Sequence, residues 1–92
     1  MKGKAVILNQ KDNVATALAE LKEGDELKLT TAEGEVQVKL RAAIPFGHKF
    51  SFRKIQKGKP VLKYGETIGT ATETIMPGDH VHVHNVISTR GR

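Results

Sequence analysis

The distribution of apolar residues predicts a mostly β domain of short strands with one short helix. Two observations carry that expectation. Short runs alternating apolar and polar residues recur along the chain, each cut off by glycine or proline, of which there are nine and three. Only one stretch, Val14, Leu18 and Leu21, spaces its apolar residues at i, i+4 and i+7 as one face of a helix does. Ninety-two residues suffice for one domain with a modest core, so residues 1–92 are read as a single unit. With three Phe and one Tyr, that core has to be filled mainly by Val, Ile, Leu and Ala.

In chain order, residues 5–8 form an apolar run that reads as a first strand. Asp12 or Asn13 can cap the helix, because their side chains accept from unpaired backbone N–H groups, and Gly24 closes it. Residues 26–31 and 35–41 alternate as two strands, and Ala32-Glu33-Gly34 between them suits a hairpin. Ile44-Pro45-Phe46-Gly47-His48-Lys49 is an irregular loop, after which Phe50, Phe52 and Ile55 return to strand-like order. Lys57-Gly58-Lys59-Pro60 is a turn. Residues 61–66 and 68–72 follow, where Gly65 and Gly69 imply bends or close backbone approach. Met76-Pro77-Gly78-Asp79 is a further turn, and residues 88–92 are a polar, basic tail. No internal repeat is expected.

The most informative stretch is Asp79-His80-Val81-His82-Val83-His84-Asn85. As a strand it puts three of the chain's four histidines on one face and two valines on the other. Three imidazoles in a row serve no packing need, and they make ready metal ligands or proton carriers. Residues two apart on a strand are separated by about 6.6–6.8 Å, so two adjacent histidines can share one ion, and all three need a bulge or a bent strand. His48 is the remaining histidine. The plain alternative is a polar edge strand whose histidines do nothing.

Charge and composition bound the function. The formal net charge is +5, and residues 36–65 contain no acid while Lys39, Arg41, Lys49, Arg53, Lys54, Lys57, Lys59 and Lys63 are all basic. Such a block suits an anionic partner, whether nucleic acid, an acidic protein surface or a carboxylated substrate, or is simply a solvated lysine-rich surface. Without cysteine there is no disulfide and no thiolate site, so any metal must use imidazole, carboxylate or amide groups. No apolar run reaches the roughly 18–20 residues of a membrane span and no signal-peptide pattern opens the chain. The expectation is a soluble, cytoplasmic protein that binds no membrane.

Three stretches carry a family resemblance: Pro45-Phe46-Gly47-His48-Lys49; Lys63-Tyr64-Gly65-Glu66 with Ile68-Gly69; and Gly78-Asp79-His80-Val81-His82-Val83-His84-Asn85. Together they resemble the N-terminal segment of altronate and galactarate dehydratases, and the separately encoded small subunit of altronate dehydratase and of sulfolactate sulfo-lyase. The resemblance runs from Lys4 through Arg90-Gly91-Arg92. It implies a SAF-type β-clip fold of short strands, acting as the small subunit or N-terminal domain of a hydro-lyase. It also implies a large dehydratase subunit or C-terminal domain as partner and an anionic sugar acid as substrate, with sulfolactate the alternative.

The implied chemistry removes a leaving group β to a carboxylate. A base takes the α-proton, a β-hydroxyl or sulfite departs, and the enol relaxes to a 2-keto acid. A divalent metal in the complete enzyme, Fe(II) or Mn(II), together with cationic side chains would stabilise the dianionic intermediate. On this reading His48, His82 and His84 are the catalytic candidates, with His80 nearer the edge of the site. Lys49, Tyr64, Asn85 and Arg90 are the substrate-binding candidates, and His82 and His84 the metal-ligand candidates. Two readings of other classes stand beside it. A nucleic-acid module would use the basic block, although Phe46, Phe50, Phe52 and Tyr64 are spaced for a core rather than for stacking on bases. A pure assembly domain would use none of the histidines chemically.

Overall fold

Four copies of one tight turn set the course of the chain. Leu21-Lys22-Glu23-Gly24-Asp25, Ile44-Pro45-Phe46-Gly47-His48, Ile55-Gln56-Lys57-Gly58-Lys59 and Ile75-Met76-Pro77-Gly78-Asp79 each run from a buried aliphatic residue to a glycine three positions on. The computed structural model, which describes residues 3–88, gives these glycines φ values of 91°, 82°, 87° and 96°. That is the left-handed backbone needed at the third position of a type II turn. The residue after each glycine donates its N–H back across the turn, to the carbonyls of Lys22, Pro45, Gln56 and Met76, over 2.9–3.1 Å. The aliphatic residues pair as antiparallel bridges, Leu21 with Ile44 and Ile55 with Ile75. No repeat was expected, because two shared positions in each copy are too few to register as sequence similarity; the backbone geometry makes the repeat plain.

Between these turns run nine strands among the described residues: β1 (Ala5–Val6), β2 (Val14–Ala17), β3 (Glu26–Thr31), β4 (Gly34–Lys39), β5 (Lys49–Ser51), β6 (Pro60–Lys63), β7 (Glu66–Ala71), β8 (His80–Val81) and β9 (Val86–Ser88). They form antiparallel sheets ordered β1-β2-β5-β8, β3-β4 and β6-β7-β9. The mostly β expectation holds. No helix is found among the described residues, and none is long and apolar enough to cross a membrane.

The expected helix is therefore corrected. Leu18, the middle of its apolar stripe, is 47% exposed, whereas Val14 and Leu21 are buried. Val14 and Ala15 bury in opposite directions, as strand neighbours do. Val14 joins a core with Ile55, Val61, Ile75 and Val81, and Ala15 and Ala17 join one with Leu27, Leu40, Ile44 and Phe50. Asp12 and Asn13, read as caps, brace a hairpin instead. The buried Asp12 carboxylate accepts from Tyr64 N–H (3.2 Å) and Gly65 N–H (2.8 Å). Asn13 accepts from Leu62 N–H (2.8 Å) and donates to the Pro60 carbonyl (3.0 Å). The oxygen chemistry of a cap is present, but tertiary partners use it.

The β6–β7 hairpin closes on Tyr64-Gly65, whose φ values of 57° and 74° are both positive, as a type I′ turn requires. The close backbone approach read at Gly69 is real: a side chain there would collide with the Ile87 carbonyl on β9.

Candidate functional site: four imidazoles beside two lysines

Pairing of β5 with β8 brings the two histidine-bearing motifs together. Lys49 pairs with Val81 and Phe50 with His80, so the register extended by one residue sets His48 opposite His82. The turn hydrogen bond from His48 N–H to the Pro45 carbonyl (3.0 Å) fixes where the first of these begins. The Gly78 turn does the same for His80, with Asp79 Oδ2 accepting from Met76 N–H (2.8 Å) and Asp79 Oδ1 lying 3.5 Å from Arg41 Nε.

The histidine row is not one strand, and that expectation is corrected. Regular pairing stops at Val81, and the chain turns back through residues 82–85. Asn85, a buried amide, makes the bend. Its Oδ1 accepts from His82 N–H (3.0 Å), its Nδ2 donates to the His80 carbonyl (2.8 Å), and its own N–H bonds the His82 carbonyl (3.0 Å). Val81 is buried as expected, but Val83 stands at the tip of the turn, 82% exposed, so the anticipated valine face has a single member.

The bend gathers the imidazoles. Ring centroids lie 5.2 Å apart for His48–His80, 4.9 Å for His48–His82 and 5.3 Å for His80–His82, all stacked, and His84 lies 5.7 Å from His80. His48 Nδ1 and His80 Nε2 are 3.0 Å apart, an N–H···N contact that needs one protonated and one bare nitrogen. One nitrogen from each of His48, His80 and His82 falls within 4.8 Å of the others. His80, read as peripheral, is the centre of the group, since it alone of the three row members touches both its row neighbours and His48. Sequence reasoning missed this because the pairing partner of His80 across the sheet is not visible along the chain.

The Lys49 ammonium adjoins the cluster, and Lys63 lies near Lys49. Half-buried Lys49 has its pKa lowered by burial and then by the positive charge of Lys63. The His80 imidazole is lowered first by burial, then by His48, His82, His84 and Lys49. Lys63 was read from the sequence as part of the basic block and of a family motif, not as a site residue; its place opposite Glu66 at the hairpin end brings it near Lys49. The rest of the basic block is partly answered by acids from outside it, as Arg53 pairs with Glu33 (2.7 Å) and Arg41 with Asp79.

Of the other sequence candidates, Tyr64 sits at the exposed hairpin tip with the Lys63 ammonium 5.2 Å from its ring centroid, and no ring contact links it to the imidazoles. The Asn85 amide is engaged on both sides by the backbone of the turn, so it orients histidines where a ligand contact was expected. Arg90 lies outside the described residues.

The resemblance implies a divalent ion, and the imidazole nitrogens are a donor set of the kind that holds one. Nitrogens held about 2.0–2.1 Å from one ion stand roughly 3–3.4 Å apart, and His48 and His80 already have that spacing. A nitrogen of exposed His82 lies within 4.8 Å of both, so the residues fit.

Comparison with known proteins decides the family. The model described as "Altronate/galactarate dehydratase SAF domain" matches residues 3–89. The chain belongs to this family. Among relatives of this SAF domain, the altronate dehydratase of Escherichia coli (strain K12) is 47% identical over 74 residues, covering 80% of this chain and 14% of that protein. The altronate dehydratase of Bacillus subtilis (strain 168) is 36% identical over 78 residues, 85% of this chain and 15% of that protein. The (2R)-sulfolactate sulfo-lyase subunit alpha of Paracoccus pantotrophus is 34% identical over 62 residues, 67% of this chain and 92% of that subunit. The SAF domain thus spans about one seventh of the altronate dehydratases it matches.

Proposed function

We propose that this SAF domain serves as the small subunit or accessory domain of a sugar-acid hydro-lyase of the altronate dehydratase type. It supplies an imidazole- and lysine-lined wall to an active site completed by a large dehydratase region. The observation that carries the reading is the convergence of two motifs some thirty residues apart, with His48 Nδ1 3.0 Å from His80 Nε2 beside Lys49. The identity to altronate dehydratases supports the substrate class, and the chain's span of only 14–15% of those proteins supports the need for a partner.

In this reading the Lys49 and Lys63 ammonium groups meet the negative charge of the substrate carboxylate, which grows when the α-proton leaves. The exposed imidazoles of His82 and His84 stand where they can hand a proton to the departing β-hydroxyl, while the His48–His80 contact holds their neighbours in place. A divalent ion, when bound, would supply further stabilisation of that charge. Removal of sulfite from sulfolactate is the second reading, favoured by the 92% coverage of a sulfo-lyase alpha subunit.

The test is reconstitution. The chain and a large dehydratase region are assayed separately and together on altronate, galactarate and (2R)-sulfolactate. The complex turns over one of them, and His82→Ala or His84→Ala lowers kcat/KM by about 10²-fold or more with little change in Tm, if a transition-state contact is lost. Near-wild-type turnover by both variants would move the chain to a pure assembly role.

A further inference from the structure

We infer that Tyr64 and Val83 are paired anchors by which the large dehydratase region closes over the imidazole- and lysine-lined wall. That partner is the one in the accessory role proposed above, and the pairing rests on that reading. Both side chains stand out in solvent, Tyr64 63% and Val83 82% exposed. Each sits at the tip of a turn held in place by a buried polar side chain. Beneath Tyr64, the Asp12 carboxylate accepts from the Tyr64 and Gly65 N–H groups, and Asn9 packs so closely on Gly65 that a Cβ there would collide with it. Beneath Val83, the Asn85 amide bonds the His82 N–H and the His80 carbonyl, and Val86 N–H adds a bond to the His82 carbonyl (3.1 Å). The fold itself asks for neither side chain. A type I′ turn suits Asn or Gly better than Tyr at a φ of 57°, and Val83 belongs to neither core. An apolar side chain already fixed in an exposed position has little freedom left to lose on binding, which is what an interface anchor needs.

The surroundings indicate the occupant. Val83 lines a cleft with Ile68, Val81, Val86, Lys49 and His82. Its aliphatic side is wrong for a polyhydroxylated acid, whose hydroxyl groups would lose water there and gain no partners, and right for an apolar side chain of a protein. Tyr64 borders the same lysine. The Lys63 ammonium lies 5.2 Å from the Tyr64 ring centroid and close enough to Lys49 to act on its charge. A surface that seats the Tyr64 ring must therefore also answer Lys63, so the partner presents apolar hollows with a carboxylate beside one of them. The relatives supply the length of chain for such a surface. The matched segment is 14% of the Escherichia coli altronate dehydratase, and the match covers 92% of a sulfo-lyase chain named as a subunit. A subunit of that size stays with its partner through a contact face and not through a linker.

Binding of the 92-residue chain to the large dehydratase region of the reconstitution experiment is measured by titration calorimetry, beside turnover and the Tm of each variant. Tyr64→Asn and Val83→Ser each weaken Kd by about tenfold or more, as loss of an interface anchor does. Asn tolerates the left-handed backbone at position 64 and position 83 lies outside both cores, so Tm holds in both variants. Lys63→Glu also weakens Kd, most at low salt. Leu18→Ser leaves Kd unchanged; that side chain is 47% exposed, and its N–H bonds the Lys4 carbonyl at the β1 end of the sheet, away from β8. For Val83→Ser, turnover returns to the wild-type level once the chain is supplied above the weaker Kd, because assembly and not chemistry is lost. Failure of the wild-type chain to bind the large region overturns the accessory role and this interface together. Wild-type binding that either Tyr64→Asn or Val83→Ser leaves intact overturns the interface alone. So does a chain that light scattering shows to be dimeric and that Val83→Ser makes monomeric, since the face then belongs to a second copy.

Discussion

Burial and four neighbours, His48, His82, His84 and Lys49, all push the His80 imidazole toward its neutral form. The folded chain therefore takes up this proton less readily than the unfolded chain does. Stability from this residue is complete above the unfolded value near 6.5 and declines as the pH falls below it. In EDTA, Tm is expected to be lower at about pH 5.5 than at about pH 7.5, and His80→Gln should flatten that difference. Thermal melts of both proteins at the two pH values check this; parallel slopes would show that His80 plays no part. Single residues were also where the sequence was most legible. The motif histidines and Lys49 do gather at one place, whereas the central rank of His80 depends on a cross-strand register that no local pattern encodes.

Among the elements, strands announced by alternation came through well. The expected 26–31 strand coincides with β3, and the hairpin to β4 closes through Ala32-Glu33, with Thr31 Oγ1 donating to the Gly34 carbonyl (2.6 Å). The misread element was β2, where a helical spacing arose by chance from residues that serve two separate cores. The residues that tell against a helix there, Asp12 and Asn13, act through partners 47–53 positions away, beyond the reach of any local rule. Asp12→Ala should therefore loosen the β6–β7 hairpin. Two donors lose one buried carboxylate, a cost of about 1–3 kcal/mol. For a domain of this size that is a Tm fall of roughly 4–8 °C per kcal/mol, measurable by calorimetry. An unchanged Tm would mean that water replaces the carboxylate without loss. Gly78→Ala should be more severe, since a methyl group there is driven into the Lys39 carbonyl while the backbone sits at φ 96°.

For the molecule as a whole, β2 ties the two cores together, with Val14 in one and the adjacent Ala15 in the other. Neither cluster can dissolve without uncovering one face of that strand, so unfolding is expected as a single transition. Far-UV circular dichroism and the Tyr64 fluorescence, followed together in urea, should give one midpoint; two midpoints would mean that the cores are independent. The same economy of core explains why the isolated chain is expected to show no lyase turnover on aldonates, aldarates or sulfolactate, and activity of the chain alone would refute the accessory role.

The fourfold turn has a consequence for how chemistry is fitted to this scaffold. The position after each glycine holds Asp25, His48, Lys59 or Asp79. Where it is aspartate, the carboxylate ties down its own turn, to Lys22 N–H at one end and Met76 N–H at the other. Where it is His48 or Lys59, the turn is braced from outside, Phe46 N–H by the Glu20 carboxylate and Lys57 N–H by Thr74 Oγ1, and the side chain takes no part in closing it. The scaffold thus offers sockets of two kinds, latched and open, at equivalent places. An open socket can exchange its side chain without renegotiating the backbone, which makes Lys59→His a way to mount a fifth imidazole at the opposite bridge while the fold stays as it is.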